Sequence, residues 1–160
     1  MKYIIREMAE NEFPLLEKFL YNAIFVQEGA IAPPESIIKS PEMQVYLDGF
    51  GDSKDDKCLV AVNDEEIIAA VWTRIMNDYG HIDDETPSFA FSVLKNYRGL
   101  GIGTELLHKM LAELRRSGYS KASLAVQKEN YAVKMYQKAG FEIIDENDEE
   151  YIMVNNLNLL

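Results

Sequence analysis

The chain has 160 residues, is 48% hydrophobic and 27% charged, and carries a formal net charge of -11. That length and apolar content suit one domain, 1–160, with a substantial core. The acidity argues against a nucleic-acid binder, and one cysteine with two histidines is too few for a His/Cys metal cluster. No apolar run is long enough to span a bilayer and the first residues carry no signal-peptide core, so no membrane partner and a cytoplasmic location are expected.

In chain order, residues 2–7 read as a lead strand. Asn11 to Phe25 carries Leu15, Leu16, Phe19, Leu20, Ala23 and Ile24 at helical spacing, with Pro14 tolerable in a first turn. Ala30 to Glu35 breaks the pattern at Pro33-Pro34, and Ser40-Pro41-Glu42-Met43 restarts a short helix with Ser at the cap and Pro at its first position. Lys57–Val62 and Glu66–Ile75 bracket Asn63-Asp64-Glu65 as a hairpin. Cys58 lies in that apolar run and reads as a core residue. Asn77 to Thr86 is acidic and turn-rich, and Phe89 to Leu94 follows as the fourth strand.

Glu105 to Ser117 reads as an amphipathic helix stopped by Gly118. Lys121 to Val126 is a strand, and Glu129 to Ala139 a helix ending at Gly140. Phe141–Ile144 and Tyr151–Val154 are closing antiparallel strands around the acidic turn 145–150. The order β-α-α-β-β-β-α-β-α-β-β makes an α/β (α+β) mixed sheet with helices packed on it.

The stretch Arg98-Gly99-Leu100-Gly101-Ile102-Gly103-Thr104 joins the fourth strand to its helix. Three glycines in five residues cost folding entropy, and successive amides at a helix start suit an anion. A tight turn with no ligand fits the same residues. Position 104 is Thr, which departs from a dinucleotide fingerprint, and no Gly-Lys-Ser/Thr follows as a P-loop would need. Charge is uneven along the chain. Between Lys95 and Gly140 nine basic residues meet three acidic ones, a balance of +6 that leaves -17 elsewhere. This suits an anionic ligand near the turn, although a solvated lysine-rich surface reads alike.

With its element order, Arg98, Gly101 and Gly103 in one motif, and Asn130, Ala132, Tyr136, Gly140 and Phe141 in a second, the chain resembles the GCN5-related N-acetyltransferase superfamily over nearly its whole length. The resemblance implies an acyl-CoA N-acyltransferase fold with six or seven strands, acetyl-CoA as acyl donor, and direct transfer to an amine. It implies that backbone amides from Arg98 through Gly99, Leu100, Gly101, Ile102 and Gly103 to Thr104 hold the pyrophosphate. Phe91, Ser92 and Val93 would line the pantetheine arm and set one amide near the thioester oxygen. Tyr136 would protonate the departing thiolate, although its place on the apolar face of its helix also suits packing alone. Asn130 would contact the arm or cap its helix, and Lys128, Lys134 and Lys138 are unranked partners for a further phosphate.

Many relatives carry a Glu on the fourth strand as base; here that strand has no carboxylate, and Lys95 stands where Pro is frequent. The base is therefore unassigned among Glu28, Tyr79, His81, Asp83, Asp84 and Glu85, any of which would equally bind the acceptor. Trp72 and Arg74 share a strand face, as do Phe89 and Phe91 on the next strand; they suit the floor of an acceptor pocket, with Arg74 a partner for an acceptor carboxylate, although core packing accounts for Trp72 equally well. The expected acceptor is a small-molecule amine such as an amino acid or polyamine. A protein amine, a noncatalytic acyl-CoA sensor and a homodimer remain open.

Overall fold

A computed structural model describes residues 2–159. Seven strands form one sheet: β1 (Ile4–Glu7), β2 (Lys57–Asn63), β3 (Glu66–Arg74), β4 (Ser88–Val93), β5 (Lys121–Gln127), β6 (Phe141–Glu146) and β7 (Glu150–Asn156), in the order β1-β2-β3-β4-β5-β7-β6. Neighbours are antiparallel except β4 and β5, which run parallel. The β2–β3 hairpin turns through Asp64 and Glu65, both at positive φ, as two-residue hairpin loops require.

Strand side chains alternate between two faces, and each face has its own core. On one, Val71, Phe89, Leu124 and Met153 pack with Leu106, Leu107, Met110, Leu111 and Leu114 of α3 (Ile102–Arg116) and with Tyr136 of α4 (Ala132–Lys138). On the other, Val60, Val62, Ala70, Trp72 and Ala90 pack with Leu16, Phe19 and Leu20 of α1 (Leu16–Ala23) and with Ile38. Burying each such aliphatic side chain is worth about 1.5–3 kcal/mol relative to exposure, which fixes the helices on both faces. Cys58 is buried, its Sγ 3.6 Å from the Met8 sulfur, and burial raises its thiol pKa.

The expected elements are all present, with moved boundaries. The helix expected over Asn11–Phe25 divides into a 3-10 stretch, Glu10–Leu15, and α1. Pro14, lacking an N–H, sits inside the first piece. The restart after Ser40 is the short α2 (Pro41–Gln44). α3 begins three residues before the expected Glu105, and α4 begins only at Ala132. The closing turn is shorter than expected: Asn147 Oδ1 accepts the Glu149 and Glu150 N–H groups, so Glu150 belongs to β7.

The departure from a regular sheet lies between β4 and β5. A single residue pair, Ser88 with Ser123, bridges them, reinforced by the Ser123 N–H donating to the Pro87 carbonyl. Beyond Ser88 the β5-facing edge of β4 has no paired strand among the described residues.

Candidate active site

The glycine turn lies at the open end of this split. Gly99 and Gly101 take φ of +77° and +83°, a region where a Cβ is strained. Gly103 is needed for a different reason: a Cβ there would stand 3.1 Å from the Phe91 ring and 3.4 Å from Val93 Cγ2, so α3 rests directly on β4. Gly101 is the cap of α3 and supplies no side chain. Among the described residues, none of the six amides from Gly99 to Thr104 has a protein acceptor. Arg98 folds back, its Nε donating to the Val93 carbonyl at 2.9 Å. The helix dipole adds positive potential at the same place.

A cavity of about 720 Å³ opens there. Its walls are the turn with Arg98, Gly99, Gly101, Gly103 and Thr104, the strand end Phe91–Val93, the C-terminal half of α1 and the chain that follows it, and Asn130 through Tyr136. Leu100 is exposed and Ile102 is buried in the core; their side chains do not line the cavity. Asn130 Oδ1 accepts the Ala132 N–H at 2.9 Å, which makes it a helix cap at the cavity wall. The Tyr136 ring packs edge-on against Phe91 and Phe141, with centroids 6.3 and 5.7 Å away. Its hydroxyl has no hydrogen-bond partner among the described residues, although the side chain is only 7% exposed. Burial, followed by the neighbouring Tyr131, raises the pKa of this phenol, which keeps it protonated at neutral pH.

The expected acceptor residues are placed elsewhere. Trp72 is fully buried and donates to the Tyr46 carbonyl. Arg74 is held by Asp56 through two 3.2 Å contacts, donates to the Val45 carbonyl and lies over the Phe50 ring. Phe89 is likewise core. These side chains are consumed by packing and pairing, and Trp72 and Arg74 form no pocket floor. Glu28 is exposed in a turn beyond Val26, and Asp83, Asp84 and Glu85 are exposed in the loop before β4. Asp83 is held below its ordinary range, chiefly by Thr86, and accepts the Glu85 N–H. His81 pairs with Asp84 at 3.4 Å, and Tyr79 is partly exposed. None of these lines the cavity. Lys128 is occupied by Glu146 at 3.2 Å, and Lys134 and Lys138 are exposed on α4 away from the walls, whereas Lys95 and Arg98 are on them.

Two groups escaped the sequence reading. Asn22, on α1, donates from Nδ2 to Ser92 Oγ at 2.6 Å and to the Val93 carbonyl at 3.1 Å. Asp78 accepts from Ser88 Oγ at 2.9 Å and pairs with the Tyr46 hydroxyl at 3.2 Å. Burial raises the Asp78 carboxyl above its ordinary range, although both hydroxyls oppose that. Glu150 is raised by burial and by the charges of Glu149 and Asp78. Gly80 explains the placement: a Cβ there would be 2.9 Å from the Ala125 nitrogen, and its carbonyl accepts from Ser123 Oγ. The loop is thus pressed onto β5 on the α1 side of the sheet. A lone glycine in an otherwise bulky, polar stretch was the available signal for that close approach.

A mixed sheet split beside a glycine-capped helix matches known architectures. A sequence profile of the Acetyltransferase (GNAT) family matches residues 23–141, and the chain belongs to that family. PaiA N-acetyltransferase of Thermoplasma acidophilum, solved with coenzyme A, superposes with a TM-score of 0.72 at 19% identity, over 98% of this chain and 99% of that one. The ribosomal-protein-S18-alanine N-acetyltransferase of Escherichia coli superposes with a TM-score of 0.67 at 17% identity, over 98% and 94%. In sequence, the [ribosomal protein bS18]-alanine N-acetyltransferase of Haemophilus influenzae is 36% identical over 62 residues. That match spans 39% of this chain and 42% of the relative, less than half of either.

Proposed function

We propose that this protein transfers the acetyl group of acetyl-CoA to a primary amine. One observation carries the reading: Gly99, Gly101, Gly103 and Thr104, whose amides have no acceptor among the described residues, and Tyr136, whose hydroxyl has no partner among them, line the same 720 Å³ cavity. The amides suit a pyrophosphate and the hydroxyl suits a leaving thiolate. The donor supplies an activated thioester. The Gly99–Thr104 amides bind its phosphates, with Lys95 and Arg98 adding positive charge, and the unpaired edge of β4 holds its arm. An amide within Phe91–Val93 stabilises the negative charge that develops on the thioester oxygen during attack. The C–N bond forms, the C–S bond breaks, and Tyr136 gives its proton to sulfur.

Asp78 does not itself line the cavity, but on the α1 side of the sheet it is bonded to Ser88, the residue that closes the split, and it takes the proton lost by the incoming ammonium through intervening water. Asp78 and Glu150 also favour a cationic acceptor on that side. A small-molecule amine is the first reading for the acceptor. A protein N-terminus is the second, supported by the Haemophilus relative, which acts on a ribosomal protein.

The test is acetyl-CoA-dependent thiol release over a panel of amino acids, polyamines and peptides with free N-termini. Turnover with one class is expected. Acetyl-CoA binding with no turnover on any member would leave a sensor in place of an enzyme.

A further inference from the structure

Asn22 reaches from the last turn of α1 to the end of β4 and saturates what it touches. The Val93 carbonyl has two lone pairs, and both are taken, by Asn22 Nδ2 at 3.1 Å and by Arg98 Nε at 2.9 Å. A carbonyl only accepts, so the Asn22 nitrogen must be the atom facing it, and this fixes the orientation of the amide. The same nitrogen donates to Ser92 Oγ at 2.6 Å.

Two groups are left over. The Ser92 hydroxyl proton has no acceptor among the described residues, although Ser92 is only 3% exposed. Asn22 Oδ1 has no donor among them either. Both residues line the cavity. A buried donor without a partner is unfavourable, and a donor beside an acceptor is the complement of a secondary amide, whose C=O accepts and whose N–H donates.

Resting on the acetyl-CoA reading above, we infer that Asn22 and Ser92 form a side-chain clamp for an amide of the pantetheine arm. Ser92 Oγ–H donates to the amide carbonyl, and Asn22 Oδ1 accepts the amide N–H. Asn22 thereby replaces the Val93 carbonyl, which β4 would otherwise offer to the arm and which Arg98 and Asn22 have already filled. The arm is selected over an acceptor amide because Ser92 and Val93 lead directly into the glycine turn that takes the phosphates. The clamp also ties α1 to the donor, so arm binding fixes one wall of the cavity.

Calorimetric titration of the wild-type protein, Ser92→Ala and Asn22→Ala compares CoA with adenosine 3',5'-bisphosphate, which has phosphates and no arm. Ser92→Ala is expected to weaken CoA about five- to tenfold, the worth of one neutral hydrogen bond, with bisphosphate affinity unchanged. Asn22→Ala is expected to lose at least as much for CoA alone. Wild-type affinity for CoA in Ser92→Ala, or equal losses for both ligands, would overturn the clamp while leaving the donor reading intact. A wild-type protein that binds neither ligand would overturn both.

Discussion

Tyr136 joins a ring packed in the core with a hydroxyl that no group among the described residues satisfies. Removing that oxygen therefore breaks no hydrogen bond within the fold. Tyr136→Phe is expected to leave thermal stability within about 0.5 kcal/mol while lowering kcat about 10²-fold or more, the usual contribution of a positioned acid. The KM for acetyl-CoA should change little, and steady-state kinetics beside a melting curve separate the two effects. An unchanged kcat would remove Tyr136 from the chemistry. Tyr136 was legible in the sequence because its spacing from Asn130 and Gly140 is part of a motif. Asn22 was not: an asparagine beside an apolar stripe carries no signal until the fold brings β4, 70 positions later in the chain, against it. Arg74 misled for a related reason. A buried arginine must be paired, and its partner, Asp56, lies in a loop whose direction no periodicity records.

At the scale of elements, the glycine turn uses its three glycines in two ways, and substitution should tell them apart. Gly99→Ala meets nothing within 4 Å, so its cost is the left-handed backbone alone, about 1–2 kcal/mol. Gly103→Ala has ordinary backbone geometry and a steric problem, since its methyl group meets the Phe91 ring at 3.1 Å. Overpacking of that kind costs about 1–3 kcal/mol, and the ring it displaces is the one packed on Tyr136. Gly103→Ala is therefore expected to lower kcat as well as stability, and Gly99→Ala mainly acetyl-CoA affinity; denaturation curves with kinetics on both variants check this. Equal kcat losses in the two would place the effect in the turn as a whole. Strand and helix order was readable from periodicity, but helix starts were not. α3 begins at a glycine cap and α4 behind an Asn130 turn, and both depend on local hydrogen bonds that hydrophobic spacing does not show.

Across the whole molecule, the sheet separates two chemistries. Tyr136 stands on the α3–α4 face and Asp78, bonded to Ser88, on the α1 face; in the proposed reaction the β4–β5 split joins them. The order of strands was legible; the split was not, because it results from the single Ser88–Ser123 bridge and from a loop wedged by Gly80, both tertiary effects. Asp78 provides a test in which function and stability move oppositely. Its folded-state pKa is raised, chiefly by burial. A carboxylic acid raised in this way stabilises the fold most when protonated, and that contribution is lost as pH rises through the folded pKa. At neutral pH the charged form is thus a cost, with the like charge of Glu150 on β7 facing it, while the hydroxyls of Ser88 on β4 and Tyr46 beyond α2, and His81 on its own loop, offset part of it. Asp78→Asn keeps an oxygen for the Ser88 hydroxyl and removes the charge. Its melting temperature is expected to exceed that of the wild type at neutral pH, the difference closing as pH falls below the ordinary carboxylate range. Its kcat should fall, and the acidic limb of the pH–rate profile, set in the wild type by a carboxylate titrating above its usual range, should disappear. A variant that gains stability yet keeps the acidic limb would show that Asp78 is buried for packing and that the proton leaves by another route.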